Sequence, residues 1–179
     1  KLAAGKTYDE AFAATRNEIV FTTHTPVVQG NESHHISRLL YMGADNGSFS
    51  KKQLKQLGGS PFNMTIGALR LSRNANAVAQ LHAVTANNMW RKVKERSEIV
   101  GITNAIHLPT WVDNRMVEAA ENGGDLWNTH VDNKRKLLAF INERTNVQLK
   151  EDCLLIGFSR RAVPYKRSDF IFKDRPKID

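Results

Sequence analysis

Cysteine is almost missing from this 179-residue chain: Cys153 stands alone, so an internal disulfide is excluded. Long apolar runs are missing too. None approaches the roughly 18 residues that cross a bilayer, and the first residues lack the apolar stretch of a secretory leader. No Gly-rich dinucleotide turn, phosphate-loop sequence or nucleophile elbow occurs. Among His24, His34, His35, His107 and His130 no pair has the His-x-x-x-His spacing of a helical zinc site, and adjacent histidines diverge on helices and strands alike. No metal is therefore expected. Asn31-Glu32-Ser33 and Asn63-Met64-Thr65 match the glycosylation triplet, but without a leader they read as chance. The cytoplasm is the expected location, with no membrane partner.

What is present is ordinary globular composition, 41% hydrophobic and 25% charged. A chain of this size could bury on the order of 70% of its unfolded surface. Basic residues exceed acidic ones, 26 against 18, for a formal charge of +8. The excess is concentrated late: residues 134–179 hold 12 basic and 6 acidic side chains. Arg160, Arg161, Lys166 and Arg167 lie within eight positions free of acidic residues.

Patterning predicts a helix over Tyr8–Arg16, a strand over Glu18–Thr23 ending at His24-Thr25-Pro26, and a helix capped by Ser50 that Gly58-Gly59 stops. From Pro61 to Val93, Leu71, Ala75, Val78, His82, Met89 and Val93 recur mostly at steps of three and four, which predicts one helical stripe. His82 on that stripe reads as a hydrogen-bonded core histidine. The many amides (Asn63, Asn74, Asn76, Asn87, Asn88) suggest a polar site along part of it. A short strand at Ile99–Ile102 delivers Asn104 to a loop, and Asn133–Thr145 reads as a helix. Cys153–Phe158 reads as a strand buried on both faces of a parallel sheet, with Cys153 in the core.

That last strand would place Arg160 and Arg161 at its carboxyl end, where ligands of open α/β sheets gather. Lys166 and Arg167 follow where a helix should begin. Two guanidinium forks and an ammonium suit phosphate oxygens, so a phosphate or other small-anion site is expected. Nucleic-acid binding is the rival use of such charge, but zinc spacing, an aromatic RNA-binding strand and a basic helical stripe are all lacking.

Several segments in order resemble the α-glucan phosphorylases, in their shorter prokaryotic form. They are Phe21-Thr-Thr-His-Thr-Pro26 with Gly30-Asn31-Glu32, Phe62-Asn-Met-Thr65 with Ala68-Leu-Arg-Leu-Ser-Arg73, then Asn76, Val78, Leu81-His82 and Met89-Trp90. Ile102-Thr-Asn104, His107, Pro109-Thr-Trp111, Leu126-Trp127, His130 and Lys134 follow, and Gly157-Phe-Ser-Arg-Arg161 with Tyr165-Lys-Arg167 closes the series. The resemblance implies an α/β, GT-B-type glycosyltransferase. Residues 1–141 would be the later part of its N-terminal Rossmann-like domain, 142–150 an inter-domain link, and 151–179 the start of the C-terminal domain with its first strand.

It further implies reversible phosphorolysis of α-1,4-glucan by inorganic phosphate to glucose 1-phosphate, with pyridoxal phosphate as cofactor. By matching position, Arg161 and Lys166 would be catalytic and hold the substrate phosphate. Arg160 would lie near the cofactor phosphate, and Asn104 and His24 would bind the glucosyl unit. Ala77 and Ala105 stand where the family is expected to have glycine. The cofactor-binding lysine would fall outside these residues, so the chain reads as an internal fragment, inactive alone. A non-catalytic carbohydrate-binding relative and a basic nucleic-acid-binding module are the alternatives.

Overall fold

Local sequence sets the first helix. Thr7 caps α1 (Tyr8–Arg16) with a reciprocal box, in which its hydroxyl accepts from the Glu10 N–H and the Glu10 carboxylate accepts from the Thr7 N–H at 2.9 Å. The computed structural model describes residues 1–174, so the end of the predicted 151–179 segment lies outside the described residues. Strand β1 (Val20–Thr23) follows, then β2 (Ser33–His34) and α2 (Ile36–Tyr41). Ser50 repeats the capping box with Gln53 at the start of α3 (Lys51–Gly58), and Gly59 ends that helix at φ 88°.

The stretch predicted as one helical stripe is instead four elements: β3 (Phe62–Asn63), α4 (Met64–Leu71), β4 (Asn74–Ala77) and α5 (Gln80–Met89). Strand β4 is flanked on both sides, pairing in parallel with β1 and with β5 (Ile99–Gly101). Two backbone ladders outweigh the weak helical preference of Asn-Ala-Asn-Ala. The apparent helical step between Ala75 and His82 thus joins residues of a strand and of a separate helix.

Burial alternates along these strands. Thr23, Ala75, Ala77 and Ile99 are buried, whereas Val20 and Val100 are about half exposed. The buried face packs with Leu69 of α4 and with Ala83 and Ala86 of α5 in one core, against which Phe21 and Trp90 lean. Of the amides expected to line a polar site, several bind protein groups. Asn63 caps α4. The Asn76 side chain accepts from the Thr22 hydroxyl at 2.8 Å, and Asn87 donates to the carbonyls of Ala83 and Ile99 at 3.0 and 2.7 Å. A second core gathers Ile36, Leu54, Leu57 and Phe62, with β2 and β3 paired antiparallel beside it.

The chain divides into two compact units, Lys1–Ile106 and the residues from His107 onward. The second unit holds α6 (Leu108–Trp111), α7 (Asn114–Glu121) and α8 (Leu126–Thr145). Asp113 and Asp125 cap the latter two through their carboxylates. Helix α8 starts seven residues earlier than predicted, at that cap. It stops at Asn146, whose φ of 57° closes the last turn.

The strand predicted over Cys153–Phe158 does not form. These residues have no regular structure, Cys153 is exposed rather than in the core, and Leu154 keeps 86% of its surface accessible. A strand exists through its ladder, and among the described residues none lies alongside this segment. The helix predicted after Lys166-Arg167 is likewise replaced, by short 3₁₀ turns at Pro164–Lys166 and Phe170–Phe172.

Candidate functional site

In the first unit the register aligns Thr23, Ala77 and Gly101 in one row across β1, β4 and β5. The three parallel strands therefore end level, over a width of about 10 Å at the usual strand spacing. The residues that leave this edge are His24, Val78 and Ile102–Asn104. That edge is where open α/β sheets present ligand-binding loops. His24 and Asn104 are both exposed here, one on each outer strand's exit.

Backbone bonds join the exits. The Ile102 N–H donates to the Ala77 carbonyl at 2.9 Å, and the Asn104 N–H to the Val78 carbonyl at 3.1 Å. His82, on the first turn of α5, reaches back to the same place: its Nδ1 accepts from the Val78 N–H at 3.3 Å. Gln80 donates from Nε2 to the Gly101 carbonyl at 3.0 Å. Gly101 is needed for that approach, since a Cβ there would lie 2.6 Å from Gln80 Oε1 and 3.1 Å from its Cα.

Burial holds the His82 imidazole below its ordinary pKa of 6.5, and the charge of His24 adds to the effect. The core reading of His82 is met, although one ring nitrogen, Nε2, is buried without a hydrogen-bond partner among the described residues. Gln80 escaped sequence reasoning, because a lone glutamine after a strand carries no distinctive spacing. Ala77 and Ala105, expected to replace glycines, both have negative φ, so neither backbone position requires glycine. The Ala77 methyl is fully buried in the core.

Arg160, Arg161 and Lys166 belong to the second unit. Arg160 and Arg161 are exposed and Lys166 is half-buried. Arg161 Nη2 donates to the Tyr165 hydroxyl at 3.5 Å, and Lys166 Nζ lies 5.0 Å from the centre of the Tyr165 ring. Tyr165 thus gathers the two cations into one local cluster, and Arg167 turns away over Phe170, with its guanidinium 5.8 Å from that ring. The left-handed φ of 51° at Arg167 follows the 3₁₀ turn.

Upstream, the segment leading to these residues is tied to α8. Arg135 donates two bonds to Glu151 at 2.7 and 2.8 Å and one to Asp132 at 3.0 Å, and Lys134 Nζ donates to the Cys153 carbonyl at 2.5 Å. The Arg135 bonds pull the Glu151 carboxyl below its ordinary range and raise Arg135. Among the described residues no group of three His, Cys, Asp or Glu side chains could hold a metal ion, and no helix is long and apolar enough to cross a membrane.

An α/β unit with loops at one sheet edge, and a basic cluster on a separate unit, define an α/β protein with a polar sheet edge and a basic segment. The resemblance read from the ordered segments is borne out by comparison: the chain is related to the α-glucan phosphorylases over nearly all its length. It is 29% identical to maltodextrin phosphorylase of Thermococcus litoralis over an alignment that covers 97% of this chain and 26% of the relative. It is 29% identical to glycogen phosphorylase of Aquifex aeolicus over an alignment that covers 99% of this chain and 33% of that protein. An uncharacterized protein of Methanocaldococcus jannaschii is 38% identical over 166 residues, 92% of this chain and 32% of the relative. The chain thus spans about a quarter to a third of the length of these relatives. No family model matches it.

Proposed function

We propose that this chain is part of an enzyme that carries out reversible phosphorolysis of α-1,4-glucan. The observation that carries the reading is the relationship, across 97% and 99% of the chain, to proteins named for maltodextrin and glycogen phosphorolysis. In the reaction the glycosidic C1–O bond breaks, a phosphate oxygen takes the glucosyl carbon, and the leaving O4 gains a proton. The products are glucose 1-phosphate and a glucan shorter by one unit. The architecture proposed is GT-B, with this chain supplying the later part of one Rossmann-like half and the beginning of the other.

His24 and Asn104 are assigned to the glucosyl unit, on opposite exits of one sheet edge, where a hydroxyl-bearing ring can take hydrogen bonds from both sides. Arg161 and Lys166 are assigned to the attacking phosphate. Fixed cations aimed at a phosphate cost no reorganisation when its charge shifts toward the sugar, and such fixed charge is commonly what lowers the barrier most. Arg160 is assigned to the phosphate of pyridoxal phosphate.

The donor chemistry fits that group: two guanidinium forks and an ammonium lie within seven residues, 160–166, with no carboxylate among them. When bound, the cofactor supplies through its phosphate a proton donor and acceptor beside the substrate phosphate. The test is Arg161→Ala in the enzyme that carries this segment. Its phosphorolysis rate should drop by about 10²–10³ with a raised KM for phosphate, and Arg161→Lys should recover part of the loss. Phosphate kinetics unchanged by Arg161→Ala would refute the assignment.

A further inference from the structure

His82 makes the contact that links the helix after β4 to the glucosyl-side loops. Its Nδ1 accepts from the Val78 N–H at 3.3 Å, and the Val78 carbonyl in turn accepts from the Asn104 N–H at 3.1 Å. Val78 is therefore gripped from both sides of its backbone. We propose that His82 is a positioning residue: a neutral imidazole that fixes the Val78 backbone and, through it, the loop that presents Asn104. The significance for glucan binding rests on the reading of Asn104 given above, whereas the positioning of the loop does not.

Three features support the assignment. His82 is only 9% exposed, so water does not compete freely for Nδ1. An acceptor Nδ1 in a neutral ring requires the proton on Nε2, and that nitrogen is buried with no partner among the described residues. A histidine kept only to fill space would leave a hydrocarbon side chain the better choice, because an unpaired buried N–H is costly. The retained cost is accounted for if Nδ1 does something an apolar side chain cannot. Finally, Ala83 and Ala86 anchor α5 in the sheet core, so the imidazole works from a rigid base.

The decisive experiment uses the unmutated 179-residue chain first. Long-range ¹H–¹⁵N spectra of the histidine rings at about pH 7.5, a unit above the ordinary histidine pKa, should show the Nε2–H tautomer, with His82 identified by its absence in His82→Asn. An Nδ1–H tautomer would overturn the proposal outright. Amide hydrogen exchange then compares two variants. His82→Leu keeps the volume without the acceptor, whereas the Oδ1 of His82→Asn can stand in for Nδ1.

Exchange at Val78 and Asn104 should quicken about tenfold in the leucine variant, the scale of one net hydrogen bond, and return to within about threefold of the parent in the asparagine variant. Equal exchange in the two variants, or acceleration spread evenly over β4 and β5, would refute a positioning role. Titration of the same chain with maltopentaose is read separately at the Asn104 side-chain amide. A missing response there with the exchange pattern intact counts against the glucosyl assignment and leaves the positioning role standing.

Discussion

Leu69→Ala tests the packing beneath the candidate site most directly. Leu69 has no exposed surface, and it and Ile99 are the largest side chains sealed in the first core. Most of its neighbours there are alanines: Ala75, Ala77, Ala83 and Ala86. An alanine cannot swing into a void, so the cavity left by the truncation should stay largely open. Leucine truncations cost roughly 2–5 kcal/mol, more where the site cannot collapse, and about 3–4 kcal/mol is expected here.

That is a large part of the roughly 5–15 kcal/mol by which a domain is stable. At about 4–8 °C per kcal/mol for a unit of this size, the melting temperature should fall by roughly 12–30 °C. The assay is urea unfolding followed by Trp90 fluorescence, in a background with Trp111→Phe and Trp127→Phe, since those two indoles are 77% and 71% exposed and Trp90 packs on this core. A loss below about 1 kcal/mol with an unchanged denaturant slope would refute the packing described, because it would mean that Leu69 is not sealed among small, immobile neighbours.

Gly58→Ala sets two effects against each other. Alanine favours a helix by about 1 kcal/mol, but its Cβ would sit 2.4 Å from the Phe62 ring in the second core. Overpacking of about 1–3 kcal/mol should win, and a higher urea midpoint for the variant would count against it. A pH effect follows from His82, whose folded pKa lies below 6.5 because of burial and the nearby His24. Below 6.5 the unfolded chain binds a proton that the folded chain refuses, so stability is full above that pH, falls as pH drops toward the lower folded value, and then levels off. Urea midpoints at about pH 7.5 and about pH 5.5, on either side of the unfolded value, should differ. His82→Asn should shrink the difference; an undiminished difference would show that other groups carry it.

Much of the local structure was legible in the chain. Ser50 announced its helix because capping is settled within a single turn, Tyr8–Arg16 was legible from its helical spacing, and Gly58-Gly59 stopped α3 as expected. The concentration of charge at Arg160, Arg161 and Lys166 was legible from the sequence alone, and the anion role proposed for them rests on side-chain chemistry. The ordered segments that resemble the phosphorylases were legible because their residue types and order do not depend on packing.

Tertiary structure decided the rest. It made Asn74–Ala77 a strand, since a ladder with β1 and β5 outweighs a short stretch of helical spacing. It left Cys153–Phe158 irregular, since an apolar run becomes a strand when a neighbour supplies the backbone bonds, and none of the described residues does. And it put His82 Nδ1 on Val78, joining α5 to the loop of Asn104. Which backbone group a buried ring meets depends on how far α5 turns back over the sheet edge, and no spacing in the sequence records that.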